Sequence, residues 1–270
     1  MKVAIIGGSG FIGSFLQKEF KNPLIIDSKN INELHKIKDM DIVINLAGAT
    51  ILKRWSEKYK KSLYSSRIET TKNIVKIIND SNVKYFISTS AIGIYPNNCI
   101  CDENSEFADN FLANLAKNWE KEALKCNKPT SILRLSVVIG NGGALKQMLF
   151  PFKYGFGATI GRGCGYMSFI DIRDLVRIYK FLIDKKITGI FNASAPYPTT
   201  NYEFSINLAK IFNKKVPFII PPFFFKILYG EGAEVLLSSQ RVYPKKLMEN
   251  GFEFKYPCIQ ESIKSIKNIL

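Results

Sequence analysis

The sequence predicts a doubly wound α/β fold, in which helices cover both faces of a mostly parallel sheet. Short apolar segments alternate with longer segments of helical periodicity over the first half of the chain. Such alternation is typical of parallel strands joined by right-handed crossovers. A glycine-rich turn also stands between the first strand and the first helix, and this turn is typical of the Rossmann-type, nucleotide-binding members of the class.

The strands and helices are predicted in order from these segments. The strand segments are KVAII, PLIID, DIVINLAG, VKYFISTSAIGIY, TSILRLSVVIG and GIFNASAP. The helical segments are FIGSFLQKEF, SEKYKKSLYSSRIETTKNIVKIIND, FLANLAKNWEKEA and IRDLVRIYKFL. From about residue 150 the alternation loosens, and glycine, proline and aromatic residues become more frequent. We therefore expect a nucleotide-binding domain over residues 1–149, which residues 170–195 rejoin, and a smaller substrate lobe from residues 150–169 and 196–270.

The charge of the chain is strongly basic, with a net value of +15 over 270 residues. Of the 38 basic residues 31 are lysines, which are spread evenly along the chain, and no run of basic residues is interleaved with aromatic residues. This pattern predicts a solvated lysine surface rather than a nucleic-acid-binding face. The positive charge still favours anionic cofactors and substrates.

Cysteine and histidine usage limits the chemistry. The five cysteines form no C-x-x-C pair, and their odd number argues against a disulfide framework. The only histidine is His35, so a histidine-based zinc site is excluded and no metal site is predicted. Met1 leads directly into an apolar strand, without the pattern of a signal peptide, which predicts a reducing cytoplasm.

One apolar stretch, Val216–Gly230, stands apart from the predicted sheet. Prolines and Lys226 interrupt it, and it is too short to span a bilayer, so no membrane span is predicted. Packing within the lobe, or a lid over a substrate, is favoured over an exposed patch for a partner or a membrane.

The glycine-rich turn GGSGFIG carries the main functional signal. Gly7 permits the tight turn, Gly10 lets the backbone approach a pyrophosphate, and Gly13 allows close packing of the helix on the strand. The helix start then presents free N–H groups to the phosphates. Ser9 lies within this turn, and Phe11 and Ile12 begin the helix that follows; all three are predicted to bind the cofactor.

An acidic residue follows at the end of the second strand, 20 positions after Gly7. A carboxylate there, Asp27, accepts hydrogen bonds from the adenosine ribose hydroxyls and repels a 2′-phosphate, which favours NAD. Ser28 and Lys29 follow and could instead hold that phosphate. The sequence therefore predicts NADP or NAD as the cofactor.

Two further strand ends reach the same edge of the predicted sheet. The segment NLAG brings the small residues of its turn, Leu46, Ala47 and Gly48, against the adenosine half of the cofactor. The segment ISTSAIGIY brings Ser88 and Ser90 to the carboxyl edge, where ligands of open α/β sheets bind. A position near the nicotinamide is favoured for them over simple hydrogen bonding within the fold.

These motifs, in this order and with LRLSVVIG, resemble the extended short-chain dehydrogenase/reductases, the nucleotide-sugar epimerase/dehydratase group. The segments NLAGATI, RWSEKYKKSLYSSRIETT, FLANLAKNWEKEA, NGGAL and SSQRVYPKKLMENGFEFKYP are similar to an atypical branch, usually labelled "epimerase family protein". The resemblance covers essentially the whole chain. It implies binding of NADP or NAD, a C-terminal segment of unknown function, and no established substrate for most members.

The resemblance also implies roles for single residues. Ser90 matches the serine that polarises a substrate oxygen, and Val138 lies near the nicotinamide. Arg67 stands where extended members place a polar residue on the cofactor. Its guanidinium could bind phosphate in a bidentate way, although a surface helix arginine explains it equally well.

The usual catalytic pair is missing. When Glu120 is aligned with the glutamate that usually follows Tyr-x-x-x-Lys, Leu112 falls on the tyrosine position and Ala116 on the lysine. Lys117 is one residue off, about a 100° rotation around the helix. The family's usual glutamine and histidine in the second lobe correspond to Gly165 and Asp171.

Other groups are therefore needed for proton transfer. Tyr95 is the best candidate, with Ser90 and Lys60 as substitutes; packing is the alternative for Tyr95. Asp171 and Asp174 are expected to cap or orient the following helix. Arg54 and Trp55 are candidates for binding an anionic or ring-shaped substrate. A structural cap on the following helix explains them equally well.

Together these observations predict an NAD(P)-dependent oxidoreductase or epimerase acting on a small, sugar-like or anionic substrate. The alternative is a catalytically silent regulatory or scaffold protein that binds the cofactor, for example one linked to cell division. No nucleic-acid partner is expected, and a homodimer is compatible with the sequence.

Overall fold

The fold was obtained as a computed structural model, and it describes residues 1–27 and 30–267. The strands are β1 Val3–Ile6, β2 Leu24–Ile26, β3 Ile42–Asn45, β4 Tyr85–Ala91, β5 Cys99–Cys101, β6 Thr130–Leu135, β7 Val137–Ile139, β8 Ala158–Ile160, β9 Tyr166–Met167, β10 Phe169–Asp171, β11 Gly189–Ala193, β12 Thr199–Thr200, β13 Phe218–Ile220 and β14 Gln240–Val242. The predicted strand segments all form strands.

The helices are α1 Phe11–Leu16, α2 Glu57–Tyr64, α3 Thr70–Asn79, α4 Phe111–Ala123, α5 Gly143–Lys153, α6 Ile172–Lys185, α7 Asn201–Ile211, α8 Pro222–Tyr229, α9 Glu234–Leu237, α10 Lys245–Glu249 and α11 Ile259–Lys267. Short 3-10 turns lie at Gln17–Glu19, Ile31–Asp39, Ile92–Ile94 and Gly230–Ala233, and a π-helical turn, Ser65–Glu69, joins α2 to α3. In the described part of the chain, no helix is long and apolar enough to cross a membrane.

The main sheet has six strands in the order β11-β6-β4-β3-β1-β2, and every pair is parallel. The doubly wound α/β class predicted from the sequence is therefore confirmed. Because β1 and β4 flank β3, the turns after these three strands lie side by side at one edge of the sheet. Two buried apolar clusters separate the sheet from its helices, one around Ile5 and Ile87 and the other around Ile6 and Phe86.

The C-terminal part of the chain adds small two-stranded sheets to this core. The pairs are β7 with β10, β9 with β12, β8 with β13, and β5 with β14. Parallel pairing of β5 with β14 joins the first half of the chain to its end. The carboxylate of Asp174, buried at the start of α6, accepts the backbone N–H groups of Lys255 at 3.1 Å and Tyr256 at 2.8 Å.

Strand β5 also corrects an expectation. The odd cysteine count argued against a disulfide framework, and no bond between these two cysteines was predicted, yet Cys99 and Cys101 are joined by a disulfide. Alternate residues of a strand point to the same face, so these two side chains lie together. The other three cysteines are free.

Candidate functional site

The turn after β1 has backbone packed against backbone at each of its three spaced glycines. Gly7 has φ of +76°, and a Cβ there would lie 3.0 Å from the carbonyl carbon and oxygen of Leu46. Gly10 caps α1, and a Cβ there would lie 3.2 Å from the oxygen of Gly7. A Cβ on Gly13 would collide with the backbone of Gly8. The turn thus has the tight bend and the close helix–strand packing expected from the spacing.

A second glycine-rich turn, between β7 and α5, packs against the first. An added Cβ on Gly140, Gly142 or Gly143 would lie within 2.9 Å of the ring of Phe11, at the start of α1. Val138 lies in β7, opposite Ile170 of β10, and is half-buried. Phe11, Ile12 and Val138 all pack against the apolar cluster beneath the sheet. The structure therefore brings Val138 to the side of the glycine turn predicted to hold the cofactor.

At the end of β2, the predicted acidic residue reaches the glycine turn. Asp27 is exposed, and its Oδ2 accepts a hydrogen bond from the hydroxyl of Ser9 at 3.2 Å. Both residues therefore lie on the same side of the turn. Ser28 and Lys29 lie outside the described residues.

The turn after β3 is held in place by the side chain of Asn45. Its amide oxygen accepts the N–H of Ala47 at 3.0 Å, and its amide nitrogen donates to Thr71 at 2.9 Å. The N–H of Leu46 donates to the oxygen of Ile6 at 2.8 Å. Buried Asn45 therefore fixes the predicted adenosine-side loop between β1 and α3.

Arg67 lies in the π-helical turn, beside this loop. Its Nη2 donates to the carbonyl oxygen of Ala49 at 2.9 Å, and its guanidinium carbon lies 5.4 Å from the ring centroid of Trp119. A Cβ on Gly48 would lie 3.2 Å from the same carbon. Within the described residues, no carboxylate lies at ion-pair distance from Arg67. Burial lowers the pKa of Arg67 to about 10.

The residues at this edge of the sheet fit a dinucleotide. Gly7 and Gly10 make the tight turn that leads into α1, whose N-terminus has no side-chain cap, and Arg67 offers a positive charge without a carboxylate at ion-pair distance among the described residues. Phosphate is the anion that a guanidinium and free backbone N–H groups bind together.

Ser90, the predicted polarising serine, is instead part of a buried ionic cluster. Its hydroxyl donates to Oε1 of Glu120 at 2.6 Å. Nε and Nη2 of Arg134 donate to the two oxygens of the same carboxylate, each at 2.8 Å. All three side chains are buried. The O–H of Ser90 therefore points at a carboxylate.

Tyr95, the predicted proton donor, belongs to the same cluster. Its hydroxyl donates to Oδ1 of Asn192 at 2.8 Å and accepts a hydrogen bond from Nη1 of Arg134 at 2.7 Å. Only 1% of the residue is exposed. Burial raises the pKa of Tyr95, although the Arg134 charge opposes the rise. These contacts explain the position of Tyr95 by packing, and its catalytic role stays a prediction.

The α4 wall of the cleft has no proton-transferring side chain at the two aligned positions. Ala116 is buried, and Leu112 lies against Gly93, where an added Cβ would be 3.5 Å from its Cβ. Lys117 turns away, because its Nζ donates to the oxygen of Ala108 at 2.7 Å. The predicted loss of the Tyr-x-x-x-Lys machinery is thus matched by an apolar surface.

The third candidate, Lys60, is held by carboxylates. Its Nζ lies 2.7 Å from Glu231 and 3.2 Å from Glu57, and the hydrogen bond with Glu231 raises the pKa of Lys60. A raised pKa makes a lysine a weaker acid, which is the opposite of what proton donation requires. Arg54 donates to the backbone oxygen of Ile227 at 2.6 Å.

Ser88, predicted near the nicotinamide, lies deeper in the same strand. It is fully buried, and its hydroxyl has no hydrogen-bond partner among the described residues. In β4 it is paired with Asn45 of β3. The structure therefore does not bring Ser88 into a network with Ser90.

Of the two acidic residues at the start of α6, Asp171 has the capping role that its position predicted, whereas Asp174 binds the C-terminal loop. Asp171 caps the helix by accepting the N–H of Arg173 at 2.9 Å, and it is buried. Its other oxygen accepts from Ser262 of α11 at 2.6 Å. Asp174 holds the C-terminal loop, as described above. Neither carboxylate faces the cleft as a free base.

Sequence reasoning did not identify Arg134 as part of the site. The signal was present, because Arg134 interrupts the apolar strand ILRL, and a charged residue inside a buried strand needs a counter-charge. Ser90 and Arg134 are also register partners in β4 and β6.

Comparison with known proteins places this geometry in a family. The model of the NAD dependent epimerase/dehydratase family matches residues 3–194, and that of a domain of unknown function, DUF1731, matches residues 220–266. An epimerase family protein of Mycobacterium leprae is 34% identical, over 97% of this chain and 94% of its own. The epimerase family protein SDR39U1 homolog of Arabidopsis thaliana, described as chloroplastic, is 32% identical, over 98% and 86%.

Solved structures give the same result. Human epimerase family protein SDR39U1 (isoform 2), determined with NADPH, has a TM-score of 0.90 and 28% identity, with 100% of both chains covered. A dTDP-4-dehydrorhamnose reductase of Bacillus anthracis, in complex with NADP, has a TM-score of 0.81 and 20% identity, with 100% of both chains covered. The second likeness concerns the fold alone.

Proposed function

The chain belongs to the NAD-dependent epimerase/dehydratase family, and we propose that it binds NADP or NAD and transfers hydride to or from a small anionic substrate. The observation that carries the proposal is Arg67, a guanidinium without a carboxylate partner in the described residues, beside a glycine-lined turn. The human relative, whose structure was determined with NADPH, supports the same cofactor class.

The cofactor would lie along the edge formed by the turns after β1, β2 and β3. The backbone from Gly7 to Gly13 takes the pyrophosphate, with Arg67 against a phosphate. Asp27 takes the adenosine ribose, and the loop Leu46–Gly48 takes the adenine side. The bound nicotinamide supplies the hydride or accepts it.

The proton of the reaction would come from water rather than from a side chain. Ser90 donates to Glu120, and Tyr95 donates to Asn192, so neither O–H is directed to a substrate. Leu112 and Ala116 offer no proton at all. A reaction of this kind suits a substrate whose developing charge needs little stabilisation by the protein, and it is slower than one with a positioned acid.

The substrate would enter between the C-terminal lobe and α4. A hollow of about 550 Å³ there is lined by Phe111 and Lys226, together with the segment around Glu231. The net charge of +15 favours an anionic substrate over a cationic one.

The test is to mix the full-length protein with NADPH or NADH and a panel of carbonyl compounds and nucleotide sugars. Absorbance of the reduced nicotinamide reports turnover, and calorimetry reports binding. Oxidation of the cofactor by one substrate class supports the proposal. Failure to bind either cofactor would overturn it.

A second candidate is a cofactor-binding regulator without turnover. It is favoured by the same saturated cluster of Ser90, Glu120, Arg134 and Tyr95. Tight binding with no change in the redox state of the cofactor, over the whole panel, distinguishes it from the enzyme.

A further inference from the structure

The C-terminal lobe exposes a large apolar surface, which we call the aromatic face. Its members come from the end of α5, the segment leading into β8, strand β13, and α8, and each is between 48% and 69% exposed. They are Phe150, Tyr154, Phe156, Phe218, Ile219, Phe223, Phe224, Ile227 and Leu228. Scattered exposed apolar side chains are ordinary, but a contiguous set marks an interaction surface.

Ring contacts and strand pairing within the lobe bring several of these side chains together. The rings of Phe150 and Tyr154 lie 4.8 Å apart, and those of Phe156 and Phe218 stack at 6.3 Å. Strands β8 and β13 pair in parallel along Ala158–Ile160. Helix α8 follows β13 directly and has no buried residue. Four of its apolar side chains are exposed, those of Phe223, Phe224, Ile227 and Leu228.

The two stretches of sequence that contain the aromatic face carry only basic charged residues. Residues 141–170 and 204–230 contain seven basic residues and no aspartate or glutamate. They are Lys146, Lys153, Arg162, Lys210, Lys214, Lys215 and Lys226. These 57 residues therefore carry seven of the fifteen net positive charges of the chain. Lys153 lies between Phe150 and Tyr154, and Lys226 lies within α8, so the charges are interleaved with the aromatic face.

We propose that the aromatic face docks onto the surface of an anionic phospholipid bilayer. The apolar side chains enter the boundary between head groups and acyl chains, and the lysines meet the lipid phosphates. A second copy of the chain is disfavoured, because pairing like faces would bring two positively charged surfaces together, each with exposed Lys153 and Lys226. A helix without a fully buried residue suits a fluid partner that adapts to its shape better than a rigid protein surface. The association is peripheral, since no described helix could span a membrane.

The experiment is flotation of the full-length protein with vesicles of phosphatidylcholine alone, or of equal parts phosphatidylcholine and phosphatidylglycerol. Wild type is expected to float with the mixed vesicles, less so as salt increases, and to stay behind with phosphatidylcholine alone. A Phe223→Asp/Phe224→Asp variant is expected to lose binding. The matched control is Ile100→Asp/Leu124→Asp, which changes two exposed apolar residues elsewhere and keeps binding.

The charge contribution is tested separately. Lys214→Glu/Lys215→Glu is expected to reduce vesicle affinity roughly 30-fold. Lys72→Glu/Lys76→Glu, on α3, gives the same net charge and is expected to retain most of the affinity. Circular dichroism confirms that each variant is folded.

Three results would overturn the proposal. The first is no flotation of wild type with anionic vesicles at low salt. The second is equal loss in the target and control variants. The third is concentration-dependent self-association that Phe223→Asp/Phe224→Asp abolishes, which would assign the aromatic face to a second copy. None of these outcomes depends on cofactor binding, so the inference stands apart from the proposed function.

Discussion

Arg134 and Arg67 are both shielded from solvent, but their surroundings differ. Arg134, in β6, gives a bidentate ion pair to Glu120 and a third hydrogen bond to Tyr95. Arg67, in the π-helical turn, donates to backbone carbonyl oxygens and the hydroxyl of Ser66, and no carboxylate is at ion-pair distance in the described chain. The pKa values follow this difference. Burial lowers the pKa of Arg67, whereas for Arg134 the pairing with Glu120 opposes burial and the pKa is raised.

The difference separates a structural charge from one suited to a ligand. A paired, buried arginine is satisfied and has little to offer an incoming anion. An arginine without a counter-charge gains stabilisation when an anion arrives. The cluster around Arg134 includes the residues expected to move protons, and their hydroxyl groups already have partners there. Arg67, beside the loop predicted to line the cofactor, has no carboxylate partner among the described residues.

The largest expected effect is on folding. Arg134→Met leaves the carboxylate of Glu120 buried without its partner, so we expect the free energy of unfolding to fall by about 3–5 kcal/mol. Urea denaturation measures it. The control is Lys125→Met, which breaks the exposed pair with Glu122 and should cost less than about 1 kcal/mol. A loss that small for Arg134→Met would remove the distinction between the two arginines.

The Arg67→Met substitution should weaken cofactor binding rather than lower the stability of the fold. Removal of a charge-assisted contact to phosphate is expected to lower cofactor affinity about 10- to 100-fold. The free energy of unfolding should change by less than about 1 kcal/mol, because no ion pair is broken. Calorimetric titration and urea denaturation measure the two quantities. Arg162→Met removes the same charge at an exposed site and should bind as wild type does.

The next effect concerns the choice of cofactor. Asp27→Asn removes a negative charge from the end of β2, where a 2′-phosphate would lie, so the ratio of NADP to NAD affinity should rise roughly tenfold. Asp39→Asn, at an exposed position on the surface, is the control. An unchanged ratio would mean that Asp27 does not face the ribose.

A pH dependence of binding should follow from Arg67. Its pKa is lowered to about 10 in the free protein, and a bound phosphate favours the charged form. Binding therefore takes up a proton at higher pH, and affinity should fall severalfold as the pH rises through about 10. Below that value Arg67 should add no dependence. Titrations of Arg67→Met over the same range should lack this fall.

The smallest expected effect is at Ser90. Because its hydroxyl donates to Glu120, Ser90→Ala should change kcat of a responsive substrate less than about threefold. If Ser90 polarised the substrate, its removal would lower kcat about 100-fold or more. Steady-state kinetics on wild type and variant separate the two cases.

Much of the fold follows from local pattern. The alternation of strands and helices and the glycine spacing predicted the parallel sheet and the turn after β1. Pairing of β5 with β14, across more than half of the chain, has no local signal. The Cys99–Cys101 disulfide was missed because the cysteines were considered only by their total number and by C-x-x-C spacing, whereas these two are separated by a single residue in a strand.

For the candidate site, the sequence predicted the glycine turn but not the hydrogen-bond partners of Ser90 and Tyr95. Glycines act through their own backbone, so their spacing is readable in the sequence. The hydrogen bonding of Ser90 depends on Glu120 from α4 and Arg134 from β6, which meet only after the sheet forms. Tyr95 follows the 3-10 turn after β4, and the partners of its hydroxyl come from β6 and β11, which are distant in sequence.

The most direct test is an experimental structure of the protein with bound NADPH or NADH. We predict that the guanidinium of Arg67 lies within hydrogen-bonding distance of a phosphate oxygen, while Ser90 still donates to Glu120 and Tyr95 to Asn192. An Arg67 side chain remote from every phosphate would contradict the account, as would a Ser90 or Tyr95 hydroxyl turned from its partner toward the nicotinamide.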